Sequence, residues 1–286
     1  MLRGIYTSAA GMVVQEQRLD VLSNNLANVD TTGYKRDQAI QKAFPELLLR
    51  RMSDDGVTQF PFRSFPVGSY DVAPVVGALG TGVETNEYYT IFSEGSLRQT
   101  ENPFDIALEG EGFFVVQTPY GERYTRNGSF HLGPEGLLVT KQGYPVLGEN
   151  GPIQIKLNNF MIDEDGVIYA NDEFGDDPER LISMRENEWA NPVVVDRLQI
   201  VTVRQPRYLQ KQGDSMWTTT RESGDATVME GDRPQVHQGF LETSNVNPVT
   251  EMVQMIEVNR AYEANQKTIA AQDELSGTLI NDVLKM

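Results

Sequence analysis

The amino-acid sequence predicts an α+β fold, with one long α-helix at each terminus and a central, mostly antiparallel all-β domain. Helix-breaking residues are concentrated in the middle: none of the 14 prolines lies in 1–44 or 249–286, and only four of the 25 glycines do. Between these segments, short runs of β-branched and aromatic residues alternate with turn residues, as they do in antiparallel sheets. The ends and the centre of the chain are therefore expected to form different kinds of structure.

Composition excludes several classes of function. The 286 residues carry a net charge of −17, so the chain is not expected to bind nucleic acid by neutralising phosphates. It has no cysteine and two histidines, which argues against disulfides, thiolate chemistry and histidine-rich metal sites. No apolar run reaches the ~18 residues of a membrane-spanning helix, and the N-terminus lacks the features of a cleaved secretory signal. We therefore expect a soluble chain.

The N-terminal segment has the spacing of a packing helix. Its apolar residues recur in steps of three and four. These residues are Leu2, Ile5, Ala9, Met12, Leu19 and Leu26. The turn-forming residues from Asp30 to Gly33 favour side-chain-to-backbone bonds and positive φ. The helix is therefore predicted to end near Asn28.

Three asparagines, Asn24, Asn25 and Asn28, lie where this helix is predicted to end. Asparagine is unfavourable inside a helix, and its amide can bond either to the adjacent turn or to another chain. From the residues alone, both interpretations stay open.

A second long helix is predicted from Val249 to about Leu284. Asn247 is suited to the N-cap, Pro248 to the first helical position, and Glu251 places negative charge in the first turn. At ~1.5 Å per residue this helix would be roughly 54 Å long. A compact domain of this size does not need so long a helix.

The surface of this second helix is only partly apolar. Met252, Met255 and Ile256 form an apolar strip, and the helix then becomes polar and aromatic at Arg260 and Tyr262. Such a helix is usually covered by other chains.

The centre is predicted to form strands joined by tight turns. The predicted strands are 113–116, 122–125, 137–140, 153–157, 167–169 and 193–203. The predicted tight connections are Asn127–Gly128, Pro134–Gly136, Gly143 and Asp165–Gly166. Residues 45 to about 85 suggest an extended linking arm, and the acidic stretch 171–190 suggests a surface excursion.

No residue pattern indicates catalysis, a cofactor or a metal ion. The acidic turn at 163–166 does not fit a calcium loop, because Met161 would stand at the first ligand position. The sequence has no nucleophile-elbow, phosphate-cradling or zinc-protease motif. Neither His131 nor His237 has sequence neighbours that would make it a general base. The chain is therefore predicted not to be an enzyme.

Three segments, in this order, resemble the signatures of bacterial flagellar rod and hook proteins. They are NNLANVDTTGYKR at 24–36, preceded by LRGIYTSAAGM at 2–12; GFFVVQTPYGERYTRNGSFHLGPEGLLVTKQGYPVLG at 112–148; and LETSNVNPVTEMVQMIEVNRAYEANQKTIAAQDE at 241–274. The length and the opening are most similar to those of basal-body rod proteins, proximal or distal.

The resemblance implies that the terminal helices pair as a coiled coil. It divides the chain into a terminal polymerisation domain, 1–38 with 244–286, an extended arm, 39–95, and a β domain, 96–243, with an acidic insertion at about 171–190. The assembly residues that it implies are Asn24, Asn25, Leu26, Ala27, Asn28, Thr32, Gly33, Tyr34, Ser244, Asn245, Val246, Met252, Met255, Ile256, Arg260, Ala261, Tyr262 and Asn265.

The resemblance also implies a function: a structural subunit of the flagellar basal-body rod, the helical drive shaft that transmits torque from motor to hook. The implied partners are copies of the chain, other rod proteins, the hook and the type III export apparatus, with the surrounding rings as further candidates; nucleic acid, membrane insertion and cofactors are not expected. The rod crosses the periplasm, and its subunits are exported without a cleaved signal. The alternative is a periplasmic oligomeric β protein that binds or acts on peptidoglycan.

Overall fold

The computed structural model describes most of the chain. The described residues are 2–50, 57–58, 70–71, 75–155, 160–170, 193–229, 231 and 233–284. Among them, α1 spans Leu2–Ala27 and α2 spans Pro248–Leu284. A short 3-10 helix spans Pro206–Tyr208. The acidic stretch predicted at 171–190 lies outside the described residues.

Strands occupy the chain between the helices. In chain order they are β1 Asp37–Ala43, β2 Leu47–Arg50, β3 Val57–Thr58, β4 Tyr70–Asp71, β5 Val75–Leu79, β6 Val83–Thr90, β7 Leu97–Gln99, β8 Ile106–Glu109, β9 Phe113–Thr118, β10 Gly121–Thr125, β11 Phe130–Leu132, β12 Leu138–Thr140, β13 Leu147–Gly148, β14 Gly151–Pro152, β15 Phe160–Ile162, β16 Val167–Ala170, β17 Val193–Arg197, β18 Ile200–Val203, β19 Gln210–Lys211, β20 Met216–Thr218, β21 Ala226–Val228, β22 Gln235–Gln238 and β23 Phe240–Glu242.

The predicted α+β class is confirmed. The main sheet pairs its strands in antiparallel fashion, as do the hairpins. By its contacts the chain divides into two compact units: the first comprises 1–21, 39–88 and 254–286, and the second comprises 22–38 and 89–253.

In the first unit, α1 and α2 lie side by side and run in opposite directions. Gly4 lies against the side chain of Gln272, and Gly11 lies against that of Asn265. A Cβ atom at Gly11 would come within 3.0 Å of Asn265 Nδ2. Glycine at these positions therefore leaves room for the side-chain amides of Gln272 and Asn265 between the two helices.

The buried side of α1 in this unit differs from the apolar stripe predicted from the sequence. Ser8 and Val14 are buried, whereas Ile5, Ala9 and Met12 of the stripe are only half-buried. Ser8 is polar and Val14 lies outside the predicted spacing of three and four, so the apolar pattern included neither of them.

The strands of the first unit form nested antiparallel pairs. β2 pairs with β5, which places Leu47 opposite Leu79 and Leu48 opposite Ala78, and β3 pairs with β4. All of these strands lie within the segment predicted as an extended arm.

A six-stranded sheet in the order β19-β20-β10-β9-β18-β21 forms the centre of the second unit. Its inner strand β9 is buried on both faces: Phe114 and Val116 belong to one apolar cluster, and Phe113 and Val115 belong to another. Because successive side chains of a strand point to opposite faces, an uninterrupted apolar run is what a strand between two cores requires.

Four predicted strands, 113–116, 122–125, 137–140 and 167–169, are confirmed within two residues at their ends. The strand predicted at 153–157 is wrong over 153–155, where Gln154 makes a single bridge to Leu137. Ile153 and Ile155 are buried there. Their alternation therefore reflects core packing without a continuous strand ladder.

The run 193–203 is two strands rather than one. β17 belongs to a three-stranded sheet and β18 to the six-stranded sheet. Between them, Leu198 N donates to Gly166 O over 2.9 Å and Gln199 N donates to Leu147 O over 3.1 Å. These bonds to two different neighbours end one ladder before the next begins.

The predicted tight connections have mixed outcomes. Pro134–Gly136 joins the paired strands β11 and β12, and Asp165–Gly166 joins β15 and β16, as predicted. Gly143 has a φ of +87° and lies in a turn. Asn127–Gly128 joins β10 to β11, which belong to different sheets, so the prediction of a tight hairpin there is wrong. Gly128 O instead accepts a bond from Ile106 N.

The predicted helix boundaries agree with the structure. α1 ends at Ala27. Asn247 Oδ1 accepts bonds from Val249 N at 3.0 Å and Thr250 N at 3.3 Å, which is the geometry of an N-cap. Neither helix in the described part of the chain is long and apolar enough to cross a membrane.

Candidate assembly site

A buried polar network in the second unit surrounds Asn25, in the last turn of α1. Asn25 Nδ2 donates to Asp37 O at 2.9 Å and to Glu251 Oε2 at 3.3 Å. Its Oδ1 accepts from Asp37 N at 2.9 Å and from the Tyr34 hydroxyl at 3.1 Å. Both donor hydrogens and both acceptor positions of the amide are therefore used.

The other two asparagines at this helix end bond locally. Asn28 Nδ2 donates to Asn24 O and Asn24 Oδ1, both at 2.9 Å. Thr31 Oγ1 donates to Asn28 Oδ1 at 3.2 Å. Asn24 and Asn28 thus bond to the end of α1 and the turn after it, which is one of the two roles that the sequence left open. Of their neighbours, Leu26 is half-buried and Ala27 is exposed.

The turn after α1 is fixed by Thr32 and Gly33. Thr32 Oγ1 donates to Asn127 Oδ1 at 2.8 Å, and Gly33 N donates to Glu242 O at 2.8 Å. Gly33 has a φ of +64°, and a Cβ atom there would lie 2.6 Å from the carbonyl carbon of Arg126. Both the backbone conformation and the close neighbour therefore require glycine.

Tyr34 is buried beneath this turn. Burial raises the pKa of its hydroxyl well above the usual range, and the carboxylates of Asp37 and Glu251 raise the pKa further. Lys211 Nζ lies 4.1 Å from the centre of the Tyr34 ring and pairs with Asp37 Oδ2 at 2.9 Å. The charge of Lys211 is thus held by both a carboxylate and an aromatic face.

Asn245 connects the segment before α2 to two other segments of the same unit. Its Oδ1 accepts from Arg36 N at 2.8 Å. Its Nδ2 donates to Ile91 O at 2.8 Å and to Ser93 O at 3.1 Å. Next to it, Ser244 is half-buried and its hydroxyl accepts from the backbone N of Val246, which is buried.

A buried ionic triad lies next to the network and was missed by sequence reasoning. Glu242 accepts bonds from Lys35 Nζ, from Arg126 Nη1 at 3.5 Å and from Gly95 N at 2.9 Å. All three charged side chains are at most 4% exposed. Burial lowers the pKa of Lys35 and that of Arg126, while the carboxylate of Glu242 opposes both shifts. No local signal in the sequence indicates the triad, because Lys35, Arg126 and Glu242 lie far apart along the chain.

Three of the seven predicted assembly residues on α2 are exposed, and the other four are half-buried. In the second unit Met252 is exposed, and in the first unit Ile256 and Arg260 are exposed. The remaining ones, also in the first unit, are half-buried: Met255, Ala261, Tyr262 and Asn265. The predicted residues thus form a buried polar group around Asn25 and a second, more exposed group along α2.

An open polar groove of about 740 Å³ lies beside the Asn25 network in the second unit. Its lining includes Asn24, Asn28, Asn127, Lys211 and Asp214. These side chains offer hydrogen-bond donors and acceptors to a polar partner. Within the described ranges, no cluster of three or more histidine, cysteine, aspartate or glutamate residues is placed to hold a metal ion.

Comparison with known proteins identifies the family. Residues 5–35 match the family described as flagella basal body rod protein, 107–170 match the flagellar hook protein FlgE/F/G D1 domain, and 237–282 match the flagellar basal body rod FlgEFG protein C-terminal family. The chain is 34% identical to the flagellar basal-body rod protein FlgG of Buchnera aphidicola subsp. Schizaphis graminum, over 96% of this chain and 97% of that protein. The chain belongs to the flagellar basal-body rod protein family.

Other rod-family relatives also align along their whole length. FlgG of Borreliella burgdorferi is 31% identical over 98% of both chains, and FlgF of Caulobacter vibrioides is 30% identical over the full length of both. The resemblance to flagellar rod proteins is thereby confirmed. Both groups of predicted assembly residues lie inside segments that match rod families.

Proposed function

We propose that this rod-family protein is a structural subunit of the flagellar basal-body rod, polymerising helically into the axial shaft that transmits torque from motor to hook. The observation that carries the proposal is the apolar surface exposed on the helices of the first unit. Tyr6 and Val13 on α1, and Ile256, Leu275 and Ile280 on α2, are all about half exposed or more. Apolar side chains along a long helix favour burial against other chains.

In the polymer, the terminal helices pair as a coiled coil and neighbouring subunits cover the rest of their apolar surface. Within one chain the contact between the helices uses the small residues Gly4 and Gly11, which bury little apolar area. Helices with few packing partners gain little to offset the entropy of ordering. Assembly therefore supplies the stability that a single copy lacks.

The proposed function divides the chain into three domains. Residues 1–38 and 244–286 serve as the polymerisation domain, 39–95 as the linking arm, and 96–243 as the β domain. The bonds of Asn25 to Asp37 and Glu251 support the grouping of the two chain ends, because they fix the last turn of α1 to the first turn of α2.

The partners of such a subunit are copies of itself, other rod proteins and the hook, with the surrounding rings at its exterior. It is located in the basal body, in the rod that crosses the periplasm, which it reaches through the type III export apparatus without a cleaved signal. The role is structural and needs no catalytic group, metal ion or cofactor.

The test is polymerisation of the purified full-length protein, followed by sedimentation and electron microscopy. We expect helical filaments, and we expect Tyr6→Ser to reduce them. Tyr120→Ser is the matched control, because Tyr120 is even more exposed than Tyr6 but lies at the β9–β10 turn of the second unit. A protein that stays monomeric at every concentration and instead binds or cleaves peptidoglycan would contradict the proposal and favour the alternative function.

A further inference from the structure

In the first unit, α2 carries a continuous exposed stripe on the side away from α1. Its members recur in steps of three and four, which places them on one face of the helix. They are Ile256, Arg260, Ala264, Lys267, Ala271 and Leu275, and all are exposed. The opposite side includes Asn265 and Gln272, which face Gly11 and Gly4 of α1. The stripe is therefore not used by the pairing of helices within the chain.

α1 carries a matching exposed stripe in the same unit. Tyr6, Val13, Glu16 and Asp20 follow one another in steps of seven, three and four, and all four are exposed. They lie on the side of α1 opposite Gly4 and Gly11. This stripe is apolar near the start of α1, at Tyr6 and Val13, and acidic further along the helix, at Glu16 and Asp20.

The two stripes are complementary in charge. Two acidic residues, Glu16 and Asp20, lie on α1, and two basic residues, Arg260 and Lys267, lie on α2. No ion pair or hydrogen bond among the residues that the structure describes uses any of these four side chains. The apolar ends also correspond, with Tyr6 on α1 and Leu275 on α2.

We propose that the α1 stripe of one copy docks in antiparallel orientation on the α2 stripe of a neighbouring copy, with Asp20 opposite Arg260 and Tyr6 opposite Leu275. The lengths agree: at ~1.5 Å per residue, Tyr6 to Asp20 spans roughly 21 Å and Arg260 to Leu275 roughly 22 Å. In this register Glu16 is within about one turn of Lys267, and the alkyl stem of Lys267 covers Val13.

The orientation rests on the proposed function. Subunits of a helical polymer all point the same way along its axis, so α2 of a neighbour runs opposite to α1, as α2 of the same chain does. The contact joins two different surfaces, which is the heterologous kind of interface that extends into a filament rather than closing into a dimer.

Cross-linking tests the register, and the chain is suited to it because it contains no cysteine. Full-length Asp20→Cys and Arg260→Cys proteins are mixed, polymerised and oxidised, and a covalent dimer joining the two positions is expected by mass spectrometry. Each variant polymerised alone should give little dimer. Asp20→Cys mixed with Leu275→Cys is the matched control and should not cross-link. A cross-link to residue 275 in place of 260, or no dimer within intact polymer, would overturn the docking.

Charge reversal tests the energetics. Asp20→Lys and Arg260→Glu should each raise the critical concentration for polymerisation about tenfold, since like charges then face each other. The double variant should return it close to the wild-type value. Asp273→Lys changes an exposed residue of α2 outside the stripe and should leave the critical concentration unchanged. Circular dichroism of each monomer checks that the fold is kept.

The outcomes separate the two proposals. If the wild-type protein polymerises, but the mixed cysteine variants give no cross-link and the double charge reversal gives no rescue, the docking is overturned and the structural role is left intact. Wild-type protein that never polymerises overturns the proposed function and the docking together.

Discussion

Asn25 Nδ2 donates a hydrogen bond to Glu251 Oε2 over 3.3 Å, joining two buried residues that lie 226 positions apart in the chain. Glu251 also accepts a bond from Arg36 Nη1 at 3.2 Å, so its buried carboxylate has both a neutral and a charged donor. The bond fixes the last turn of α1 to the first turn of α2 in the second unit. Residues at opposite ends of the sequence thus belong to one folding unit.

Replacing Asn25 by alanine should lower the free energy of unfolding by about 3 kcal/mol. The change removes four hydrogen bonds, including those to the backbone N and O of Asp37 and to Oε2 of the buried Glu251, and each polar group left unpaired costs ~1–3 kcal/mol. Urea unfolding followed by fluorescence measures the loss. Asn24→Ala is the control. Because Asn24 is exposed, this variant should lower the free energy of unfolding by less than ~1 kcal/mol. Equal losses for the two variants would show that the Asn25 network does not stabilise the fold.

The hydroxyl of Tyr34 should make stability fall at alkaline pH. Its pKa is raised in the folded protein, first by burial and then by Asp37 and Glu251. Its contribution is therefore complete below the unfolded pKa of ~10 and is lost as the pH rises above that value. The difference in unfolding free energy between wild type and Tyr34→Phe should shrink by up to ~1.4 kcal/mol per pH unit above pH ~10. The measurement is urea unfolding from pH 8.5 to 11. A difference that stays constant across this range would refute the prediction.

The features that were predicted correctly from the sequence are those that neighbouring residues determine. The N-cap at Asn247 and the end of α1 near Asn28 depend on a few neighbouring residues, and the run at 113–116 identifies a strand buried on both faces. These features need no knowledge of distant contacts. The antiparallel class followed from turn residues such as those at Asp165–Gly166.

Features that depend on distant contacts could not be predicted. Glu242 looks like a surface acid in the sequence, and only folding brings Lys35 and Arg126 to it. Asn25 differs from Asn24 and Asn28 in its burial and in its bonds to distant residues, which spacing does not reveal. The position of Gly4 and Gly11 at the contact between α1 and α2 was not predicted, because glycine adds no side chain to an apolar periodicity.

Replacing Glu242 by glutamine should destabilise the second unit by ~3–5 kcal/mol. The buried cations Lys35 and Arg126 would lose their counter-charge, and an uncompensated buried charge is costly. Thermal unfolding should show one cooperative transition at a lower temperature. Glu149→Gln provides the control, because Glu149 pairs with Arg233 but is 43% exposed; an ion pair with so exposed a partner should contribute less than ~1 kcal/mol. If Glu149→Gln costs as much as Glu242→Gln, burial is not what makes the triad important.

Replacing Gly33 by alanine should cost more than ~3 kcal/mol and leave little folded protein. Its φ of +64° already disfavours a side chain by ~1–2 kcal/mol. The added Cβ would also lie 2.5 Å from Asn127 N and 2.6 Å from the carbonyl carbon of Arg126, and neither backbone atom can move aside cheaply.

Gly143→Ala is the matched control, since Gly143 has a φ of +87° but nothing lies within 4 Å of the new Cβ. That variant isolates the conformational cost and should lose only ~1–2 kcal/mol. The comparison is made by urea unfolding and by hydrogen exchange of the Gly33 to Glu242 backbone bond. If both alanine variants lose the same free energy, the contact with the 126–127 backbone does not hold the turn, and the left-handed conformation alone explains the glycine.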